Sequence, residues 1–246
     1  MDFHCHLDLY PGAKAVSEEA ALRNEFTWLV TTSPRAYDAT SRVLGHVPRV
    51  LITPGLHPEL VETRAGELPQ LLQQMEHAVA VGEVGLDGSY RFKSSLAIQR
   101  QVFDAVVSRS RELGGRTLSI HSRGAAKEVL SILLKNPGFG TAVLHWFTGT
   151  VGEMETAYKL GCWFSIGPAA FNSAAGRTLV AKIPRDRVVP ESDGPFAEDN
   201  GVPVQPWSME RTAQLFAPQW ECAEPEAFEI LRTNGRRLLR TMGRLL

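Results

Sequence analysis

Cysteine is scarce in this chain: 3 among 246 residues, at Cys5, Cys162 and Cys222, with no C-x-x-C pair. An odd number of widely spaced thiols argues against a disulfide scaffold and points to a reducing compartment, the cytoplasm. Long hydrophobic runs are also missing. None approaches the roughly 20 residues of a membrane span, and the N-terminus lacks the basic, apolar, small-residue order of a signal peptide. Charge of one sign is missing too: 26 basic and 27 acidic residues leave a net charge of −1. That excludes a bulk coat for nucleic acid, so any contact with a polyanion must come from a local patch or from bound metal ions. No low-complexity tract and no repeat breaks the chain. Its 43% of hydrophobic residues can bury a sizeable core.

What is present is an alternation. Short apolar or β-branched runs recur at 3–7, 27–32, 49–55, 78–85, 117–122, 141–147, 162–167 and 187–193, separated by Gly- or Pro-containing loops and helical periods. In 95–114 the apolar residues Ile98, Val102, Phe103, Val106 and Val107 fall on one half of the helical wheel. Nearly continuous apolar strands between helices imply a parallel sheet covered on both faces. Eight such units in a chain of this length predict one α/β domain over 1–246, a closed (β/α)8 TIM-type barrel, with an open doubly wound sheet as the alternative. Pro190 is awkward inside the last run, because a barrel strand has no free edge, and it predicts a bulge or distortion there.

The chemistry-bearing residues gather at these runs. His4 and His6 lie in the first, His57 follows the third, Glu83 is in the fourth, His121 in the fifth, His145 in the sixth and Asp193 closes the eighth. In a parallel barrel the C-terminal strand ends converge on one face, where barrel enzymes keep their active sites. Residues i and i+2 of a strand share a face, so both imidazoles of HCH point the same way and Cys5 points away. Left empty, such a cluster is costly: each unsatisfied buried polar group costs about 1–3 kcal/mol, and neighbouring carboxylates repel. One or two divalent cations remove both costs. A lone histidine at a strand end is more often a hydrogen-bonded structural residue, and for His46 and His77 that bland reading is preferred. For six residues at strand ends it would need six coincidences. His57, in a GLHP turn, is intermediate.

The words DFHCHLD (2–8), GLHP (55–58), GEVGLD (82–87), IHSRGA (120–125), LHWFTG (144–149) and ESDGPF (191–196), in this order, resemble the TatD family of metal-dependent deoxyribonucleases, whose fold is amidohydrolase-like. The resemblance implies two divalent ions (Mg2+, Mn2+ or Zn2+), with His4, His6 and Asp193 holding one, His121 and His145 the other, and Glu83 bridging. It implies hydrolysis of DNA phosphodiester bonds, with DNA ends or single strands as substrate and Asp193, Glu83 and His57 as catalytic residues. Asp193 serves there as both ligand and base. Imidazole-rich ligation suits zinc or manganese, whereas magnesium prefers oxygen. The chain departs from the family wording at Glu59, where HPH is frequent, and at Gly88 and Ser89, which precede Tyr90 and Arg91. WFTG replaces CFSG, and ESDGP replaces ETDAP. This divergent wording is also similar to the TatD-like component of Qat anti-phage systems, which implies protein partners in a defence system.

Arg91, Lys93 and Arg123 follow metal-bearing runs and are candidates for phosphate contact, against the bland alternative of scattered surface charge. Trp146 is a candidate for stacking on a base, against a barrel-plugging role shared with Phe147. At the C-terminus Arg236, Arg237, Arg240 and Arg244 share one helical face, with Leu238, Leu239, Met242, Leu245 and Leu246 opposite, as in a packed helix with a solvated basic face. Two other functions compete with the nuclease: an amide- or ester-cleaving barrel hydrolase, and a partner-binding subunit with a weak site. Many enzymes of the first kind bridge their metals with a carboxylated lysine, a place that Glu83 takes here.

Overall fold

Eight short strands, the first seven each followed by helix and the eighth by a small ribbon and then helix, run through the computed structural model, which describes Met1–Gly243. They are β1 (Asp2–Cys5), β2 (Thr27–Val30), β3 (Val50–Thr53), β4 (Ala80–Gly85), β5 (Arg116–His121), β6 (Gly140–His145), β7 (Trp163–Ile166) and β8 (Val188–Pro190). Two-residue β9 (Glu198–Asp199) and β10 (Val202–Pro203) make a small antiparallel ribbon. The helices are α1 (Ala13–Arg23), α2 (Pro34–Leu44), α3 (Val61–Arg64), α4 (Leu68–Gln74), α5 (Leu96–Glu112), α6 (Ala126–Lys135), α7 (Val151–Lys159), α8 (Ala174–Val180), α9 (Met209–Phe216) and α10 (Glu224–Thr241). Every residue of β1, β2, β4, β7 and β8 is buried, as strands covered on both faces require.

Pairing follows chain order, β1-β2-β3 and β4-β5-β6-β7-β8, and it is parallel at β1/β2, β4/β5, β5/β6 and β7/β8. Backbone bonds join the two series. Gly82 N–H donates to Pro54 O at 2.7 Å between β4 and the end of β3, and Asp193 N–H donates to His4 O at 2.9 Å between the end of β8 and β1. This ring order is that of a (β/α)8 barrel.

The chain divides into two compact units. One contains Met1–Leu29, Ser41–Leu51 and the chain from Phe164 onward; the other contains Val30–Thr40 and Ile52–Trp163. In the first, Phe3, Trp28, Phe164 and Phe216 are fully buried, each burial contributing about 1.5–3 kcal/mol. There Phe3 meets Phe26 at 5.2 Å between ring centroids, and Phe216 stacks on Trp220 at 4.3 Å. α10 buries Leu238, Leu239 and Met242 and exposes Arg236, Arg237 and Arg240, the faces read from the sequence. Arg244, Leu245 and Leu246 lie outside the described residues.

In the second unit α5 buries Val102, Phe103, Val106 and Val107 as expected, but Ile98 is 40% exposed. The buried stripe passes instead through Gln99. Its amide is fully satisfied there: Oε1 accepts from Asp87 N–H at 2.7 Å, and Nε2 donates to Asp87 O at 3.2 Å and Phe92 O at 3.1 Å. A polar residue thus takes an apolar position because the loop after β4 needs fastening.

The strands are shorter than the apolar runs. His6 lies one residue beyond β1, and Asp193 three residues beyond β8. The bulge expected near Pro190 is not where the irregularities fall. The β7/β8 register is regular through Ile166↔Pro190, and just past the proline Glu191 N–H still donates to Ile166 O at 3.2 Å, so the missing proline N–H is accommodated without a bulge. Register shifts occur instead between Asp2 and Cys5 in β1 and between Val81 and Glu83 in β4. Such bulges re-aim side chains, and these two fall at His4 and Glu83.

Candidate metal centre

In the first unit His4, His6 and Asp193 come together. Backbone bonds set the frame: Asp193 N–H to His4 O, and His6 N–H to Gly194 O, both 2.9 Å. Asp193 takes a left-handed φ of 47°, unusual for a residue with a side chain and easiest for Asp, Asn and Gly. His4 Nε2 and His6 Nε2 stand 3.6 and 3.7 Å from the same atom, Asp193 Oδ1. These distances are too long for hydrogen bonds. They are close to the spacing of about 3.4 Å expected between two ligands that each lie about 2.1 Å from one tetrahedral ion.

A residue that sequence reasoning did not single out fixes this frame. Asp2 is fully buried and accepts from Ser192 Oγ (2.5 Å), Ser192 N–H (3.0 Å) and His4 N–H (3.1 Å). Burial pushes its carboxyl up to about 7, against the lowering effect of these donors. Its sequence signal was only a buried carboxylate at the start of an apolar run.

In the second unit Glu83 Oε1 is surrounded by three imidazoles. His57 Nε2 is at 2.9 Å, His121 Nδ1 at 3.1 Å and His145 Nε2 at 3.4 Å. Two glycines allow this crowding. A Cβ on Gly55 would lie 2.8 Å from Glu83 O, and one on Gly85, at φ 135°, would lie 2.1 Å from His121 O. His57 Nδ1 accepts the Glu59 N–H at 3.1 Å, so neutral His57 carries its proton on Nε2 and donates it to Glu83.

His121 is flanked by carboxylates on both sides, because its Nε2 lies 2.8 Å from Asp87 Oδ2. Burial lowers its affinity for a proton, but Asp87 and Glu83 prevail and raise it to about 9. Asp87 is likewise penalised by burial, yet the bonds from His121 and Ser89 hold it at about 2. Asp87 is the other important residue that sequence reasoning missed, although it ends the quoted word GEVGLD.

Of the remaining candidates, Arg91 is exposed, with its guanidinium 5.1 Å from the Phe92 ring centroid. Arg123 is exposed in the turn after β5, and its carbonyl accepts from Gly88 N–H at 2.8 Å, which ties that turn to the loop preceding Arg91. Trp146 follows His145 directly at a φ of 37° and is half-buried, whereas Phe147 is buried, as a plugging residue is. His46 and His77 are exposed.

Buried imidazoles converging on carboxylates form a nitrogen and oxygen donor set suited to divalent transition ions. On a barrel of parallel strands, that set defines a metal-dependent hydrolase. More particularly, the chain belongs to the family of TatD related DNases, which it matches over residues 1–240. It is similar to human deoxyribonuclease TATDN3, 26% identical over 100% of this chain and 96% of the relative. It is 30% identical to the 3'-5' ssDNA/RNA exonuclease TatD of Edwardsiella piscicida over 76% of this chain and 77% of that one. Among solved structures, the TatD homologue YjjV of Escherichia coli superposes with a TM-score of 0.84 at 23% identity, covering 98% of this chain and 96% of that chain.

Proposed function

We propose that this protein is a metal-dependent nuclease that hydrolyses DNA phosphodiester bonds with a pair of divalent ions. His4, His6 and Asp193 would hold one ion, His121 and His145 the other, and Glu83 would serve both. The observation that carries the reading is the Glu83 carboxylate oxygen within 2.9–3.4 Å of nitrogens of His57, His121 and His145. Bound there, the ions would bring the pKa of a water toward neutrality and stabilise the charge developing on the phosphodiester oxygens.

The chain's own residues supply the rest. Asp193 accepts the proton of the attacking water, and His57 donates its Nε2–H to Glu83. Arg91 and Arg123 bind phosphates, and Trp146 offers a face to an unpaired base. Single strands and ends suit a mouth with one such aromatic, and one relative is named for 3'-5' action on single-stranded DNA and RNA. Zinc or manganese fits the imidazoles better than magnesium does. We assign the whole chain to one catalytic domain and to the cytoplasm, since Cys5, Cys162 and Cys222 form no disulfide among the described residues. Among the described residues no helix is long and apolar enough to cross a membrane. The link to anti-phage defence and its protein partners rests on sequence wording alone.

The test is degradation of single- and double-stranded DNA in the presence of Zn2+, Mn2+ or Mg2+, with Glu83→Ala as control. Metal-dependent cleavage abolished by Glu83→Ala is expected. Cleavage that survives both chelation and this substitution would remove the proposal.

A further inference from the structure

His121 is gripped at both ring nitrogens, and only one grip involves a residue already assigned a ligand's role. Nδ1 faces Glu83 Oε1 at 3.1 Å, and Nε2 faces Asp87 Oδ2 at 2.8 Å. Asp87 has no exposed surface and cannot swing away. Its other oxygen accepts the Ser89 N–H at 2.8 Å, its backbone N–H donates to Gln99 Oε1 at 2.7 Å, and its carbonyl accepts from Gln99 Nε2 at 3.2 Å. The next residue, Gly88, is tied to Arg123 O at 2.8 Å, two residues past His121. Helix α5 and the turn after β5 therefore fix this carboxylate together.

We infer that Asp87 is the positioning residue for the second ion, holding His121 in the one tautomer and orientation that direct Nδ1 toward the side shared with Glu83. The inference rests on the proposed pairing of His121 and His145 around that ion. An ionised carboxylate only accepts, so the Asp87 contact requires a hydrogen on His121 Nε2. Glu83 accepts from Nδ1 in the same way, and an ion would take the place of that second hydrogen; with the Nε2 proton fixed by Asp87, the lone pair so released is on Nδ1. A carboxylate behind a metal-bound imidazole also raises the ring's basicity and fixes its plane, and loss of such a partner typically costs on the order of 10- to 100-fold in metal affinity. Asp87 must accept twice, from Ser89 and from His121. Asparagine has the same shape but one acceptor oxygen, so it can satisfy only one of the two.

The geometry also admits a rival role. Glu59, Asp87 and His121 can bring three ligand atoms within 4.8 Å of one another. If Asp87 were itself a ligand there, His121 would bind through Nε2 and an ion would be lost with the carboxylate.

The experiment uses full-length protein loaded with Zn2+. Binding is measured by calorimetry and metal analysis, and the histidine ring nitrogens are read by 15N NMR. In the wild type we expect two ions, with His121 metallated at Nδ1 and protonated at Nε2, a readout that needs no variant. In Asp87→Asn, checked for folding by thermal unfolding, we expect two ions still, one of them weakened on the order of 10- to 100-fold, and His121 no longer confined to that tautomer. Wild-type His121 bound through Nε2, or one whole ion lost in Asp87→Asn, would overturn the positioning role in favour of direct ligation. Two ions of unchanged affinity in the variant would overturn it while leaving the binuclear reading intact. A wild type whose His121 binds no ion would overturn both.

Discussion

The Nε2 of His57 lies 2.9 Å from Glu83 Oε1, while its Nδ1 is occupied by the Glu59 N–H. A ring that accepts at one nitrogen and donates at the other has no lone pair to offer an ion. We therefore expect His57 to act as a donor to the carboxylate, the rival being a ligand's role beside Glu83 and His121, whose ligand atoms lie within 4.8 Å of one another. His57→Ala should leave two ions bound and reduce turnover on the order of 10- to 100-fold, the usual effect of removing a partner that orients a ligand. Metal analysis beside a DNA turnover assay decides it. Loss of an ion would make His57 a ligand after all.

Glu83→Ala and His145→Ala should differ in kind. A carboxylate that serves both ions is lost in the first, so both affinities fall; one terminal imidazole is lost in the second, so one falls. Titrating Zn2+ into each variant separates them, and two tight ions in Glu83→Ala would disprove the bridge.

Asp193→Asn should fold, because asparagine tolerates the left-handed conformation that Asp193 adopts at φ 47°. It keeps an oxygen but loses the charge and the base, so turnover under saturating metal should drop on the order of 10²-fold or more. Near-normal turnover would remove Asp193 from the proton transfer.

Metal should also stabilise the fold. At 100 times the dissociation constant, one bound ion contributes about 2.7 kcal/mol, roughly 5–10 °C in Tm for a chain of this size. Chelation should lower Tm by about that amount per ion, and a Tm indifferent to chelator would contradict a preformed site.

Asp2 supplies a pH test in chelated protein. Its folded carboxyl is raised from 3.8 to about 7 by burial, so between those values the unfolded chain gives up this proton and the folded one keeps it. Its contribution to stability is then fully present below about 4 and is lost as pH rises toward about 7. Asp2→Asn removes the titration, so the stability difference between variant and wild type should change over that window and level off above it. Denaturant unfolding at a series of pH values measures this, and a difference constant from pH 4 to 7 would refute it.

The ring of strands was legible because most strand residues are buried and so appear as nearly continuous apolar runs. The imidazoles were legible because they stand at the ends of those runs. What escaped was polar and long-range. Asp2 acquires its role from Ser192, 190 residues away, and no local pattern announces that pairing. Gln99 broke the helical stripe that named Ile98, because an amide with all its bonds made is as content inside as an aliphatic side chain. Asp87 was quoted within a recognised word yet given no task, since its task depends on which nitrogen of His121 faces it.

Gly85 has no chemistry of its own, yet it sits midway between Glu83 and Asp87 with its Cα turned against the His121 carbonyl. Any side chain there would strike that carbonyl at 2.1 Å and shift the histidine relative to both carboxylates at once. A mutational scan scored only by turnover would thus rank Gly85 among the catalytic residues. Variation among descendants of this chain should avoid the position as strictly as it avoids the ligands, for a reason of clearance and not of reactivity.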